Sequence, residues 1–269
     1  MTYFAAHRLG IVGLGNMGGA IARGAIDAGL VPTTSVVGFD TLASAGHDLP
    51  IWRVDTLAEI AERADCIVVA VKPAWVPEVV ARLTEHGARF IISIAAGVPL
   101  ARLRDACGEH PVQLVRAMPN MAASVGASAT AIVAEPGADQ TLLDAADALF
   151  SATGFTIRLD NEAQMHAFTG AVGSGIAFGY VFAEAIADGA VAEGLPRPLA
   201  RRAAALMLHG AAQTLLRDGG SPGALKDAVC SPSGTTIEGI AALERLGLRG
   251  ACIEAVRAAS RRSRQFEEG

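Results

Sequence analysis

Apolar residues alternate between two rhythms along the first 160 positions. Short runs rich in Val, Ile and Phe at residues 9–12, 35–39, 66–71, 89–94, 112–115, 129–133 and 155–159 predict strands, and the stretches between them carry helical spacing. The run Cys66-Ile67-Val68-Val69-Ala70-Val71 is apolar at every position. That pattern suits a strand covered on both faces, because a face left in water would show alternation. Strands and helices in turn predict a mostly parallel sheet wrapped by helices. Beyond Asp160 the strand-like runs stop. The remaining residues read as helices punctuated by Gly194-Leu195-Pro196, Gly219-Gly220-Ser221-Pro222 and Ser231-Pro232-Ser233-Gly234. The expected organisation is an α/β domain over residues 1–160 and an all-α domain over residues 161–269.

Composition narrows the classes. The 269 residues suit one or two domains, and 51% hydrophobic with 18% charged is a globular balance that excludes disorder. The longest uninterrupted apolar stretches, such as residues 90–100, fall short of the roughly 20 residues of a membrane span, so no membrane partner is expected. Residues 1–8 hold no secretory apolar core, which points to the cytoplasm. Cys66, Cys107, Cys230 and Cys252 lie far apart with no histidine at ligand spacing, so buried thiols are expected and no metal. A net charge of −5 and the lack of a basic run beyond residues 261–264 argue against nucleic acid. The helical half is rich in Ala and Gly, as in residues 200–212, and has little side chain with which to build a core of its own. A homodimer through that half is therefore expected.

Gly13-Leu14-Gly15-Asn16-Met17-Gly18 is a GxGxxG that follows the first strand and opens a helix. In such a loop the first glycine makes the tight turn, the second lets a pyrophosphate approach the backbone, and the third allows helix and strand to pack closely. Asp40 stands 22 residues after Gly18, at the end of the second strand. There an acidic side chain accepts ribose hydroxyls and repels a 2′-phosphate, which favours NADH over NADPH; an ordinary turn aspartate fits the same spacing. Lys72 is one of two lysines in the chain and sits before Pro73, at the carboxyl edge of a strand, where it could face either a ligand or solvent.

In the helical half, Ser231-Pro232-Ser233-Gly234-Thr235-Thr236-Ile237-Glu238 is a turn that runs into a helix. Thr235 and Glu238 have the spacing of a capping box. The amides of Gly234, Thr235 and Thr236, beside two hydroxyls, equally offer a site for a small carboxylate. His166 and His209 lie in helical stretches and read as structural or solvated.

These motifs together resemble the pyrroline-5-carboxylate reductase family, whose members close proline synthesis. The likeness runs through nearly the whole chain. It is carried by GLGNMG (13–18), AVKP (70–73), SIAAGV (93–98), RAMPN (116–120), GSGIAF (173–178) and DAVCSPSGTTIEG (227–239). The resemblance implies a Rossmann domain plus a helical dimerisation domain, NADPH as cofactor, and hydride transfer to the C=N bond of a cyclic imino acid. It implies that Gly13, Gly15, Asn16, Met17, Gly18 and Asp40 hold the cofactor together with Ala70, Val71, Lys72, Ala95, Gly97, Pro119 and Asn120. It also implies that Ser231, Gly234, Thr235 and Thr236 hold the substrate, with Thr236 at the ring nitrogen. Three positions depart from the family's usual GSGPAY and SPGGTT: Ile176, Phe178 and Ser233. They leave another imine open as substrate. GLGNMG is shared with β-hydroxyacid dehydrogenases, whose catalytic lysine stands on the interdomain helix; residues 162–193 hold no lysine. A non-catalytic nicotinamide-binding relative is the remaining alternative.

Overall fold

A computed structural model describes residues 3–268; Met1, Thr2 and Gly269, which fall within the expected domain bounds, lie outside the described residues. The strands are β1 (Leu9–Val12), β2 (Val36–Phe39), β3 (Trp52–Arg53), β4 (Cys66–Val69), β5 (Phe90–Ser93), β6 (Gln113–Met118), β7 (Ser128–Ala134) and β8 (Gly154–Arg158). They form one eight-stranded sheet in the order β3-β2-β1-β4-β5-β6-β7-β8. From β3 to β6 every pairing is parallel. The order reverses at β1, which lies between β2 and β4, and this is the switch point outside which α/β sheets bind ligands.

Helices α1 (Asn16–Asp27), α2 (Leu57–Arg63), α3 (Val76–Glu85), α4 (Leu100–Cys107) and α5 (Gln140–Ser151) cover the two faces. Side chains alternate across the pleat, so Ile67, Val69 and Ile91 join α2, α3 and α4 in one core. Val68 and Ile92 join α1 and α5 in the other. Each position of β4 thus has an apolar layer to enter, which is why that strand is apolar throughout. Burial of one such side chain contributes about 1.5–3 kcal/mol.

The sheet is mostly parallel, as expected, with two features that the sequence pattern does not predict. The edge strand β3 is only two residues long and carries no periodic signal. Strand β7 runs antiparallel to β6. Residues 119–127 between them hold one short 3-10 turn, Met121–Val125, too little for the crossover that a parallel return requires.

The chain divides into two compact units, one reaching to Gly173 and resuming at Ala258, the other running from Ser174 to Arg257. The first thus includes more than the residues before Asp160. Helix α6 (Gln164–Phe168) places Met165 and Phe168 in the core beside α4 and continues through a π turn, Thr169–Gly173. The last turns of the final helix also belong to this unit.

The second unit holds α7 (Gly175–Ala192), α8 (Arg197–Asp218), α9 (Pro222–Ala228), α10 (Thr235–Arg245) and the start of α11 (Leu248–Glu268). Its buried core is a seam of alanines, Ala187, Ala200 and Ala204. Tyr180, Val181, Leu206, Leu216 and Ile253 are exposed. By length and composition the helical run Gln164–Ala192 is apolar enough to cross a membrane. A count of uninterrupted apolar residues overlooks this, because the run is broken by polar positions. The expectation of buried thiols holds for Cys66 and Cys107, whereas Cys230 is half-buried and Cys252 exposed, both in the unit with the thin core.

Candidate functional site

The three glycines of the first loop do different work. Gly13 has φ +95°, and a Cβ there would lie 2.7 Å from the carbonyl oxygen of Ala70. A Cβ on Gly18 would meet the carbonyl oxygen of Gly13 at 1.9 Å, so the start of α1 packs directly on the loop. Gly15 is different: a Cβ there meets nothing within 4 Å. The fold itself does not require glycine at this position, and the space is left for a ligand. Gly15 also caps α1 without a side-chain hydrogen bond, so the first amides of the helix are free to receive an anion. The loop therefore fits a dinucleotide pyrophosphate.

Beside it opens a cavity of about 690 Å³ whose lining includes Gly13, Gly15, Asp40, Ala70, Val71 and Lys72, six of the expected cofactor residues. Asp40 is held rigidly. Its Oδ2 accepts the Leu14 amide at 2.7 Å and its Oδ1 the Leu42 amide at 2.8 Å. It is therefore both a turn aspartate and a fixed negative charge at the cavity, and each oxygen keeps a lone pair for a further donor. Sequence reasoning missed one wall, made by Trp75, Glu78, Val79 and Arg82. Their spacing of three, four and seven residues from Trp75 marks one face of a helix, which was the available signal.

The remaining expected cofactor residues lie outside this cavity. Asn16 lines a separate groove of about 700 Å³ along α1, with the Arg23–Asp48 ion pair. Met17 packs partly into the core under α1. Asn120 is 8% exposed, and its Oδ1 caps the Met121–Val125 turn through the Ala122 amide at 3.1 Å. Ala95 and Gly97 follow β5, and Pro119 and Asn120 follow β6; all four are buried. Because β1, β4, β5 and β6 are neighbouring parallel strands, residues 13–18, 70–72, 95–97 and 119–120 follow one another along a single carboxyl edge.

The second constellation lies in the helical unit. Gly234 is the N-cap of α10, and a Cβ there would lie 2.2 Å from Ser231 Oγ. Only glycine leaves the Ser231 hydroxyl in that place. Ser233, with φ +55°, is the one non-glycine residue at positive φ among the described residues. It occupies the left-handed region at the position where SPGGTT has glycine. The capping box is not formed: Thr235 is already inside the helix, and the cap carries no side-chain hydrogen bond. The Gly234 amide, expected to face a ligand, donates instead to the Ser231 carbonyl at 3.1 Å and closes the turn, whereas the first amides of α10 remain open beside the exposed hydroxyls of Ser231, Thr235 and Thr236. His209 is exposed and His166 joins a partly buried network with Glu267, so the first is solvated and the second structural.

A switch-point sheet with a glycine loop leading into α1 and an aspartate after β2 defines a dinucleotide-binding protein of the Rossmann class, here with an appended helical unit. Residues 162–266 match the family model for pyrroline-5-carboxylate reductase dimerisation, and residues 8–97 match that of the coenzyme F420-dependent NADP oxidoreductases. The pyrroline-5-carboxylate reductase of Methanosarcina acetivorans is 41% identical over 265 residues, covering 96% of this chain and 97% of its own. That of Escherichia coli is 39% identical over 257 residues, covering 93% and 94%. Among solved structures, the Coxiella burnetii enzyme of that name superposes with a TM-score of 0.91 at 28% identity, covering 97% of this chain and 98% of its own. The NADP-bound Plasmodium falciparum pyrroline carboxylate reductase has a TM-score of 0.87 at 25% identity, covering 97% and 98%. The chain belongs to the pyrroline-5-carboxylate reductase family.

Proposed function

We propose that this protein reduces the C=N bond of 1-pyrroline-5-carboxylate to give L-proline, using NAD(P)H. The observation that carries the reading is the uncapped N-terminus of α10, ringed by hydroxyls, in a chain that also bears a ligand-ready glycine loop. The amides at Thr235 and Thr236, with the Ser231 hydroxyl, hold the substrate carboxylate, and Gly234 leaves that hydroxyl its room. Thr236 hydrogen-bonds the ring nitrogen. A protonated imine is already electrophilic, so the chain supplies orientation rather than a strong acid. When bound, the reduced nicotinamide supplies the hydride.

Residues 13–18, Asp40, 70–72, 95–97 and 119–120 line the path of the cofactor in this reading, and residues 161–269 carry the substrate turn and the dimer contact. The fixed carboxylate of Asp40 favours NADH, since a 2′-phosphate would approach a charge that cannot turn away. The exposed apolar side chains of the helical unit support a homodimer, and four unpaired cysteines suit the cytoplasm. The test is oxidation of NADH, and then NADPH, by purified protein supplied with pyrroline-5-carboxylate. Turnover faster with NADH is expected. Absence of turnover with both cofactors overturns the reading, and turnover of a different cyclic imine alone would assign Ile176 and Phe178 as the residues that moved the specificity.

A further inference from the structure

Arg116 is only 1% exposed and sits on β6, just before the Pro119-Asn120 segment. Its Nη1 donates to Glu162 Oε1 at 2.7 Å, and its Nη2 lies 2.6 Å from Glu267 Oε1 on the last turn of α11. The second contact is a charge pair without an aligned hydrogen bond. Glu162 Oε1 also accepts the Leu100 amide at 2.8 Å. Leu100 opens α4, whose N-cap, Pro99, offers no side-chain hydrogen bond. One carboxylate thus ties the loop after β5 to the strand β6. Glu267 is in turn held by His166, whose Nε2 lies 3.3 Å from Glu267 Oε2 and whose Nδ1 lies 3.1 Å from Ser263 Oγ.

The same turn of α11 presses on that loop directly. Gly97 has φ +74°, and a Cβ there would meet Phe266 Cβ at 2.9 Å. The Phe266 ring does not fill the core; it is 56% exposed, with Arg262 stacked 4.3 Å from its centroid. At this point α11 therefore contributes a backbone lid over Gly97 and a counter-charge for Arg116, not apolar burial.

We propose that Glu267, together with Phe266, is a positioning residue that holds the segment Ala95-Ala96-Gly97-Val98-Pro99 in the conformation in which it receives the cofactor. This role rests on the cofactor path proposed for residues 95–97. Without Glu267 a buried guanidinium keeps one counter-charge instead of two, and the loop loses the helix that closes over it. Because the attachment is polar and the ring lies outside, the loop loosens while the sheet core stays intact.

The test compares Glu267→Gln, Glu267→Asp and Phe266→Ala with wild type in three measurements: amide exchange across residues 94–100, cofactor dissociation constant, and melting temperature. Faster exchange in that segment alone is expected for Glu267→Gln, with cofactor binding weakened about tenfold, partial recovery in Glu267→Asp, and a melting temperature near that of wild type; Phe266→Ala, which keeps the Cβ and backbone over Gly97, should match wild type. Wild-type exchange and affinity in Glu267→Gln would overturn the proposal, as would a general loss of protection that tracks a fallen melting temperature. The exchange measurement needs neither cofactor nor substrate. A failure of the functional reading would show separately, as a wild-type protein that binds no cofactor.

Discussion

The two units bury their apolar residues in opposite ways. In the first, strand residues enter two cores and Val68, Ile67, Ile91 and Ile92 are fully enclosed. In the second, three alanines are buried while Tyr180, Val181, Leu206 and Leu216 face outward. Their chemistry divides along the same line. The first unit presents backbone and space around Gly15, with one fixed charge at Asp40; the second presents hydroxyls and free amides at the start of α10. A unit with two layers over its sheet can hold a long ligand along an edge by itself. A unit with an alanine seam leaves apolar side chains outward for a second copy to cover, and in the proposed reading a short polar turn suffices for its small substrate.

The largest effect expected from breaking this division is at Gly15. Gly15→Val fills space that the protein leaves open, so cofactor binding should vanish by calorimetry while the circular dichroism spectrum and melting temperature stay near wild type. Next comes the outward face of the helical unit. Charges at Val181 and Leu206, as Val181→Asp with Leu206→Asp, should convert a dimer to a monomer in light scattering and leave the cofactor affinity of the first unit in place. Asp40→Ser removes a charge from the cavity wall and should, in the proposed reading, shift preference toward NADPH by about tenfold, a change of roughly 1–2 kcal/mol, read as the ratio of kcat/KM for the two cofactors. The smallest effect is at Ser233. Its positive φ costs about 1 kcal/mol relative to glycine, so Ser233→Gly should raise the melting temperature by a few degrees.

Most of this arrangement could be read from residue order because it rests on local pattern. Strands β1, β2 and β4 of the first unit hold no polar residue, and GLGNMG stands between a strand and a helix. The rest depends on what spacing does not carry. Thr235 and Glu238 are three apart, as a capping box requires, yet the cap falls one residue earlier, on Gly234, because Ser233 turns into the left-handed region. The break near Asp160 is where the strands end, but Glu162 and Glu267 both pair with Arg116, so residues far apart in the chain extend the first unit. Such pairings between distant residues leave no periodic trace. The same holds for the role of Gly97, whose neighbour Phe266 comes from the other end of the chain.

The division of labour between the units is tested most directly by Thr236→Ala, with turnover of pyrroline-5-carboxylate at saturating cofactor measured alongside the cofactor dissociation constant. Loss of one positioning hydroxyl, with the amides and Ser231 still in place, should lower turnover by about 10- to 100-fold, or roughly 1.4–2.7 kcal/mol of barrier, at unchanged cofactor affinity. Turnover equal to wild type, or an affinity for cofactor that falls in parallel with turnover, would contradict the account.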